Sequence, residues 1–231
     1  MLYMIGDSMN EDLKKFFNER NKEILNNKIK LDIDNNTDSL KLTINNVISL
    51  EMNKLHKSII NFCEECNILY NIQEINETIE EEKKILEEMT ASKLQERKEN
   101  IEKGIFGNNK DLDKDDLKEY TDIMLDNIKV NISKENAINF LPNITNKLNL
   151  KNEDDLIRLN SLVRLEFNII SNRIENNTRT RFINLCNMIE ESRQISDDYS
   201  KKTGDAIEKI SSTKKPERQY KSTKKKIKKA A

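Results

Sequence analysis

Few residues in this sequence have a type and spacing that could support chemistry. Cys63-Glu64-Glu65-Cys66 spells a CxxC pair. Such pairs do redox work beside a βαβ unit, or hold zinc with two further ligands. Here the further candidates are His56 and Cys186, and no βαβ pattern is present. On a helix the two thiols stand three positions apart, with Cys66 beside Phe62 on an apolar stripe, so both cysteines read as packing residues. Asp111, Asp113 and Asp115 open like a calcium loop, but Asp116 and Asp122 stand where such a loop needs Gly and Glu. Helix capping and complementation of the helix dipole account for these acids. His56 is the only histidine and has no obvious Ser or Cys nucleophile set against it in sequence, so a triad has no support. No Gly-rich phosphate loop occurs. Carboxylates are so frequent that no pair of them is diagnostic. The sequence therefore predicts a protein that is not an enzyme and has no metal or cofactor.

The elements that would carry these residues are helical by composition. Hydrophobic residues make up 35% and charged residues 35% of 231, against norms of roughly 45–50% and 25%. Only four Gly and two Pro are present, and there is no Trp. Few turn formers argue against an all-β or loop-rich chain, and high charge with modest apolar content suits helices that bury one stripe. The predicted core is thin, so a partner chain could complete it.

The first apolar stretch, Met1 to Ile5, is too short for a signal-peptide core. No window reaches the ~18 apolar residues of a membrane span. Three cysteines form no disulfide framework and suit a reducing compartment. The expected location is cytoplasmic, nuclear in a eukaryote, or within a virion.

Along the chain, five segments are expected. Residues 1–44 read as a helix over 10–27, with Leu13, Phe16, Phe17, Ile24 and Leu25 on its stripe, followed by a β-hairpin. The hairpin rests on period-two runs, Ile29, Leu31, Ile33 and then Leu40, Leu42, Ile44, around the turn formers Asn35 to Asp38. Residues 45–103 contain no Gly or Pro and read as one long coiled-coil-like helix. Its seam runs through Met52, Leu55, Ile59, Phe62, Cys66 and Leu69. It then slips by one residue and resumes at Ile72, Ile75, Ile79, Leu86 and Met89, with Glu82 as a polar intruder. Residues 104–152 read as a short-helix connector. In it Gly104 and Gly107 end the long helix, a helix follows over about 114–128, and another starts at Ser133 and stops before Pro142. Residues 153–200 read as a second long helix opened by Asn152. Its stripe holds Leu156, Leu159, Val163, Ile170, Ile174, Phe182, Leu185 and Ile189, and the polar run 176–180 marks a kink or a helix–helix turn. Antiparallel pairing of the two long helices is the simplest way to bury both stripes.

Residues 201–231 read as a disordered basic tail. They hold twelve Lys or Arg against three acids, a charge of +9, which leaves −10 for the rest of a chain of net −1. Lys214, Lys215, Arg218, Lys221, Lys224, Lys225, Lys226, Lys228 and Lys229 would attract a polyanion: nucleic acid, anionic lipid or an acidic protein surface. The arginines at 158, 164, 173, 179, 181 and 193 do not share one helix face, so ion pairs between helices are the expected use. In its charge, helicity, scarcity of aromatics and basic C-terminal segment the chain resembles phage capsid scaffolding proteins. That resemblance implies an assembly role in which the basic segment grips a partner.

These features predict a mainly α, non-enzymatic scaffold. The seam at Met52, Leu55, Ile59, Phe62, Leu69, Ile72, Ile75, Ile79, Leu86 and Met89 would bind a protein partner or a second copy, and the tail would tether an acidic partner. The competing expectation is a nucleic-acid-associated accessory protein with salt-sensitive, non-specific binding through the tail.

Overall fold

The computed structural model describes residues 2–106, 119, 122 and 131–212. Their order is α1 (Leu2–Glu65), α2 (Ile72–Phe106), a π-helical stretch (Asn131–Asn136), α3 (Ala137–Thr145) and α4 (Glu153–Ser212). Among the described residues β pairing is limited to a bridge between Tyr70 and Leu148. The chain divides into two units, one of Asn26–Ser192 and one of Met1–Leu25 with Arg193–Ala231.

In the larger unit α1 and α4 run antiparallel. Arg158 pairs with Glu65, Arg173 with Glu51, and Arg181 donates to Ser39 and Thr43, so one residue number rises as the other falls. Lys98 of α2 reaches Asp34 of α1 at 2.6 Å, and α2 lies antiparallel to α1 as well. Three helices thus enclose one core, capped by Ile132, Ala137, Phe140 and Ile144 from the π-helical stretch and α3. Phe140 and Phe167 meet with ring centroids 5.6 Å apart. Each fully buried Ile or Leu here contributes about 1.5–3 kcal/mol.

The buried stripes share a spacing that is not a heptad. Leu40, Ile44, Ile48, Met52 and Leu55 advance by four, four, four and three. So do Glu82, Leu86, Thr90, Leu94 and Arg97, and Ile170, Ile174, Thr178, Phe182 and Leu185. A repeat of about 3.75 residues per turn drifts the opposite way from a 3.5-residue heptad seam and favours right-handed wrapping. The core of α1 therefore begins at Ile29, well before a heptad reading finds it.

The expected β-hairpin is absent; residues 29–44 are helix. The two patterns overlap because period two includes the i, i+4 pairs of a helix. Ile29 with Ile33, and Leu40 with Ile44, are buried, while the intervening Leu31 and Leu42 are 57% and 65% exposed. The turn formers are absorbed by bonds: Asn36 donates to the Arg181 carbonyl and Thr37 to its own helix at Ile33.

The single helix expected over 45–103 is broken at 66–71. Asn67 adopts φ 51°, the Ile68 N–H bonds the Cys63 carbonyl at 2.8 Å, and the Asn67 N–H bonds that of Glu64 at 3.2 Å. This is a Schellman ending, with buried Ile68 as its apolar clasp. Asn71 then caps α2, accepting from the Gln73 N–H at 3.0 Å and lying 3.3 Å from Glu74. The one-residue slip between Leu69 and Ile72 marks this break.

Other boundaries shift too. Gly104 lies inside α2 and does not end it. Pro142 lies inside α3; the carbonyl deprived of its donor belongs to Ile138, which is exposed to water. Asn152 does cap α4, accepting from the Asp155 N–H at 2.8 Å while Asp155 accepts from Lys151. No helix–helix turn forms at 176–180: α4 is continuous, with Asn177, Thr178 and Thr180 each bonding the carbonyl four residues back. Residues 201–212 belong to α4, and the remainder of the predicted tail lies outside the described residues, as do Gly107, the predicted helix at 114–128 save Glu119 and Asp122, and the Asp111–Asp115 run.

Candidate functional site

Seven of the ten predicted seam residues, Met52, Leu55, Ile59, Phe62, Ile75, Ile79 and Leu86, are buried within the chain's own bundle. Met89 packs against that core, while Leu69 and Ile72 stay exposed at the α1–α2 turn. The stripe is consumed by α4 and by the folding back of α2 on α1. The tail lysines and arginine from Lys214 to Lys229 lie outside the described residues.

The cysteines do not assemble a metal centre. Cys63 and Cys66 sit at the end of α1, whereas Cys186 follows Arg181 and Phe182, which face Ser39 and Arg97. Cys186 therefore stands level with residues near Asp34, about 40 Å along α1 from Cys63 at ~1.5 Å per residue. Among the described residues no group of three or more His, Cys, Asp or Glu could hold a metal ion. The Cys63 thiol is pushed up to about 11 by burial, helped by Cys66 and Glu64, which makes it a poor nucleophile. Cys66 accepts a 3.0 Å bond at Sγ from Arg158, which also stacks 5.6 Å from the Phe62 ring centroid. Nε2 of His56 is buried and has no hydrogen-bond partner among the described residues.

Polar groups inside the larger unit act between helices. Glu51 is 1% exposed, and its Oε1 receives Arg173 Nη1 at 2.6 Å and Lys54 Nζ at 3.0 Å. Burial, then the neighbouring Glu51, raises the pKa of Glu166 above the usual carboxylate range. Glu82, the polar intruder of the seam, is buried against Asn136 at 3.2 Å, and burial raises its pKa. Arg97 is buried, its Nε and Nη2 have no partner among the described residues, its guanidinium lies 5.0 Å from the Phe182 ring centroid, and burial lowers it to about 10. The aromatic face supplies part of what a hydrogen-bond partner would. A cleft of about 190 Å³ lies between Lys134, Ala137, Ile138, Arg164 and Asn168. It is smaller than the roughly 300–1,000 Å³ of most ligand pockets.

The smaller unit is built differently. Asn21 of α1 shares its amide hydrogens among the Ser196 carbonyl, Ser196 Oγ and Ser200 Oγ, at 2.7–2.9 Å. Lys14 meets Glu208 at 2.7 Å and holds that carboxyl below its usual range. Of the α4 apolar residues described in this unit only Ile207 is buried. Leu13, Phe16, Phe17 and Ile24, expected on a buried stripe, are exposed, and so are Ile195 and Tyr199. The sequence signal for Ile195 and Tyr199 was their four-residue spacing just beyond the stripe of the second long helix.

Among the described residues no helix is long and apolar enough to cross a membrane. Comparison with family models, with characterised proteins and with solved structures finds no match for this chain.

Proposed function

We propose that this protein is a non-enzymatic helical scaffold, an assembly component of a virion or other complex that associates through its long helices and tethers an acidic partner with its basic C-terminal segment. The observation that carries this reading is the set of large apolar side chains left on the outer faces of α1 and α4 beyond the core, Phe16, Ile24, Ile195 and Tyr199 among them. Contiguous exposed apolar surface marks interaction sites in soluble proteins. The seam residues of 52–89 stabilise the bundle itself, so association uses other faces.

Light scattering with small-angle X-ray scattering tests the reading, at two protein concentrations in ~0.15 M salt and again at higher salt. A dimer or larger species supports it. A monomer under every condition removes its main support.

A second reading, a nucleic-acid-associated accessory protein, is favoured by the excess of Lys and Arg after Ser212. Deleting 213–231, and not 201–231, is the proper test, because α4 runs to Ser212. Loss of salt-sensitive DNA or RNA binding with oligomeric state unchanged would favour this second reading.

A further inference from the structure

In the smaller unit Lys14 and Asn21 of α1 bond to Ser196, Ser200 and Glu208 of α4, with Ile207 buried beside them. A Cβ added at Gly204 would meet nothing within 4 Å, so the two helices are not tightly packed there. The exposed large apolar residues lie elsewhere. Leu13 precedes Lys14, Ile195 precedes Ser196, and Tyr199 precedes Ser200. One position back is 100° of rotation around a helix. Phe17 and Ile24 follow Lys14 and Asn21 by three, which places them on the same side of the pairing line, and Phe16 packs edge-on against Phe17 at 5.7 Å.

The rotation has the same sense on both helices, each viewed from its own N-terminus. Because the helices are antiparallel, equal rotations carry both stripes to one side of the pair. The Asn21 contacts to Ser196 and Ser200 set the level, so Ile24 stands alongside Ile195 and Tyr199. From this geometry we infer that Leu13, Phe16, Phe17, Ile24, Ile195 and Tyr199 form one apolar face on which a second copy of this chain docks, two helix pairs closing into a four-helix bundle.

Two features select a second copy. The first is area. At their observed exposures the six side chains offer roughly 700 Å², above the ~300–600 Å² of the largest patch on a typical monomer and close to the ~800 Å² each partner gives a standard interface. The second is charge. Over 11–25 the acids Glu11, Asp12, Glu19 and Glu23 balance Lys14, Lys15, Arg20 and Lys22, and 193–212 is balanced in the same way. A neutral surface neither repels its own copy nor selects a strongly charged partner. Two helices cannot enclose a core, and an identical pair related by a two-fold axis supplies what is missing.

This inference rests on the scaffold reading and gives it a surface. Its test is sedimentation velocity of the full chain from ~1 to ~200 µM, a span that covers micromolar self-association. The chain is compared with F16K/Y199K and with the uncharged I24S/I195S, and helicity is checked by circular dichroism. The expected result is a wild-type dimer of twice 27.1 kDa that persists at higher salt. Both variants should dimerise ~100-fold more weakly with unchanged helicity, as loss of buried anchors implies. A dimer unaffected by either pair of substitutions, or one that dissociates with salt, overturns this face and leaves the scaffold reading standing. A wild type that stays at 27.1 kDa throughout overturns both, and leaves the face to an unlike partner or to the chain's own C-terminal segment.

Discussion

Glu82 and Asn136 illustrate how a seam position can carry a carboxyl. Burial raises the folded-state pKa of Glu82, while Asn136 Nδ2 donates to it and Asn136 Oδ1 has no partner among the described residues. A raised folded pKa means the folded chain holds the proton more tightly than the unfolded chain. The carboxyl is therefore tolerated below the unfolded value of ~4.3, and stability falls as pH rises through the folded pKa. Glu82→Gln keeps the acceptor and adds a donor for Asn136 Oδ1. It should raise stability by roughly 1 kcal/mol at pH 7.5 and by little at pH 4, read from urea midpoints. Glu51 is buried too, but basic partners meet it, Arg173 at 2.6 Å and Lys54 at 3.0 Å. Arg173→Met removes its shortest partner and should cost about 2 kcal/mol, part of which Glu51→Gln in the same chain restores. A full cost in the double variant would show that Arg173 acts by packing its stem and not by pairing.

At the scale of elements, the decisive position is Asn67. Its φ of 51° lies in the left-handed region, which Asn tolerates and Gly prefers. Asn67→Ala should lower stability by about 1 kcal/mol, and Asn67→Gly should leave it within a few tenths. Equal effects in chemical denaturation would mean that the turn does not limit stability. The same turn explains why a stretch without Gly or Pro yields two helices. The ending is written in hydrogen bonds to Cys63 and Glu64, and an Asn at that point does not announce it. The reverse holds at residues 29–44, where Asn35 to Asp38 announce a turn that does not form. Helical neighbours on both sides and the bond from Asn36 to Arg181 outweigh the local preference.

At the scale of the whole molecule, burial is uneven between the two units. The larger one holds the continuous cluster from Leu40 through Ile174, whereas in the smaller, among the described residues, Ile207 is the one buried apolar side chain of α4 and Leu13, Phe16, Phe17 and Ile24 of α1 are exposed. Opening free energy follows buried apolar contact. In dilute solution, backbone amides of 11–25 and 193–210 should exchange with solvent at least tenfold faster than those of 44–62 and 159–185. Mass-spectrometric hydrogen exchange measures this directly. Equal protection in dilute solution would mean that the two-helix pair is stabilised by more than its contacts suggest. Protection that appears only at high protein concentration is the behaviour expected of the docking face.

Composition and periodicity by themselves determined the helical class, the stripe of the second long helix from Leu159 to Ile189 (Leu156, expected on it, is exposed), its cap at Asn152, and the place of Cys63 in the core. These depend on interactions between residues a few positions apart, which a sequence displays. The fate of the seam depended on tertiary structure. Whether Met52, Leu55 and Ile59 met another chain or their own turned on Asn67 reversing the chain and on α4 returning antiparallel, and an apolar stripe reads the same in either case. Likewise, Phe16 and Tyr199 became surface residues because the two helices turned the neighbouring faces to each other, Lys14 and Asn21 on α1 and Ser196, Ser200 and Glu208 on α4. Which face of a helix is left over is set by what packs against the other one.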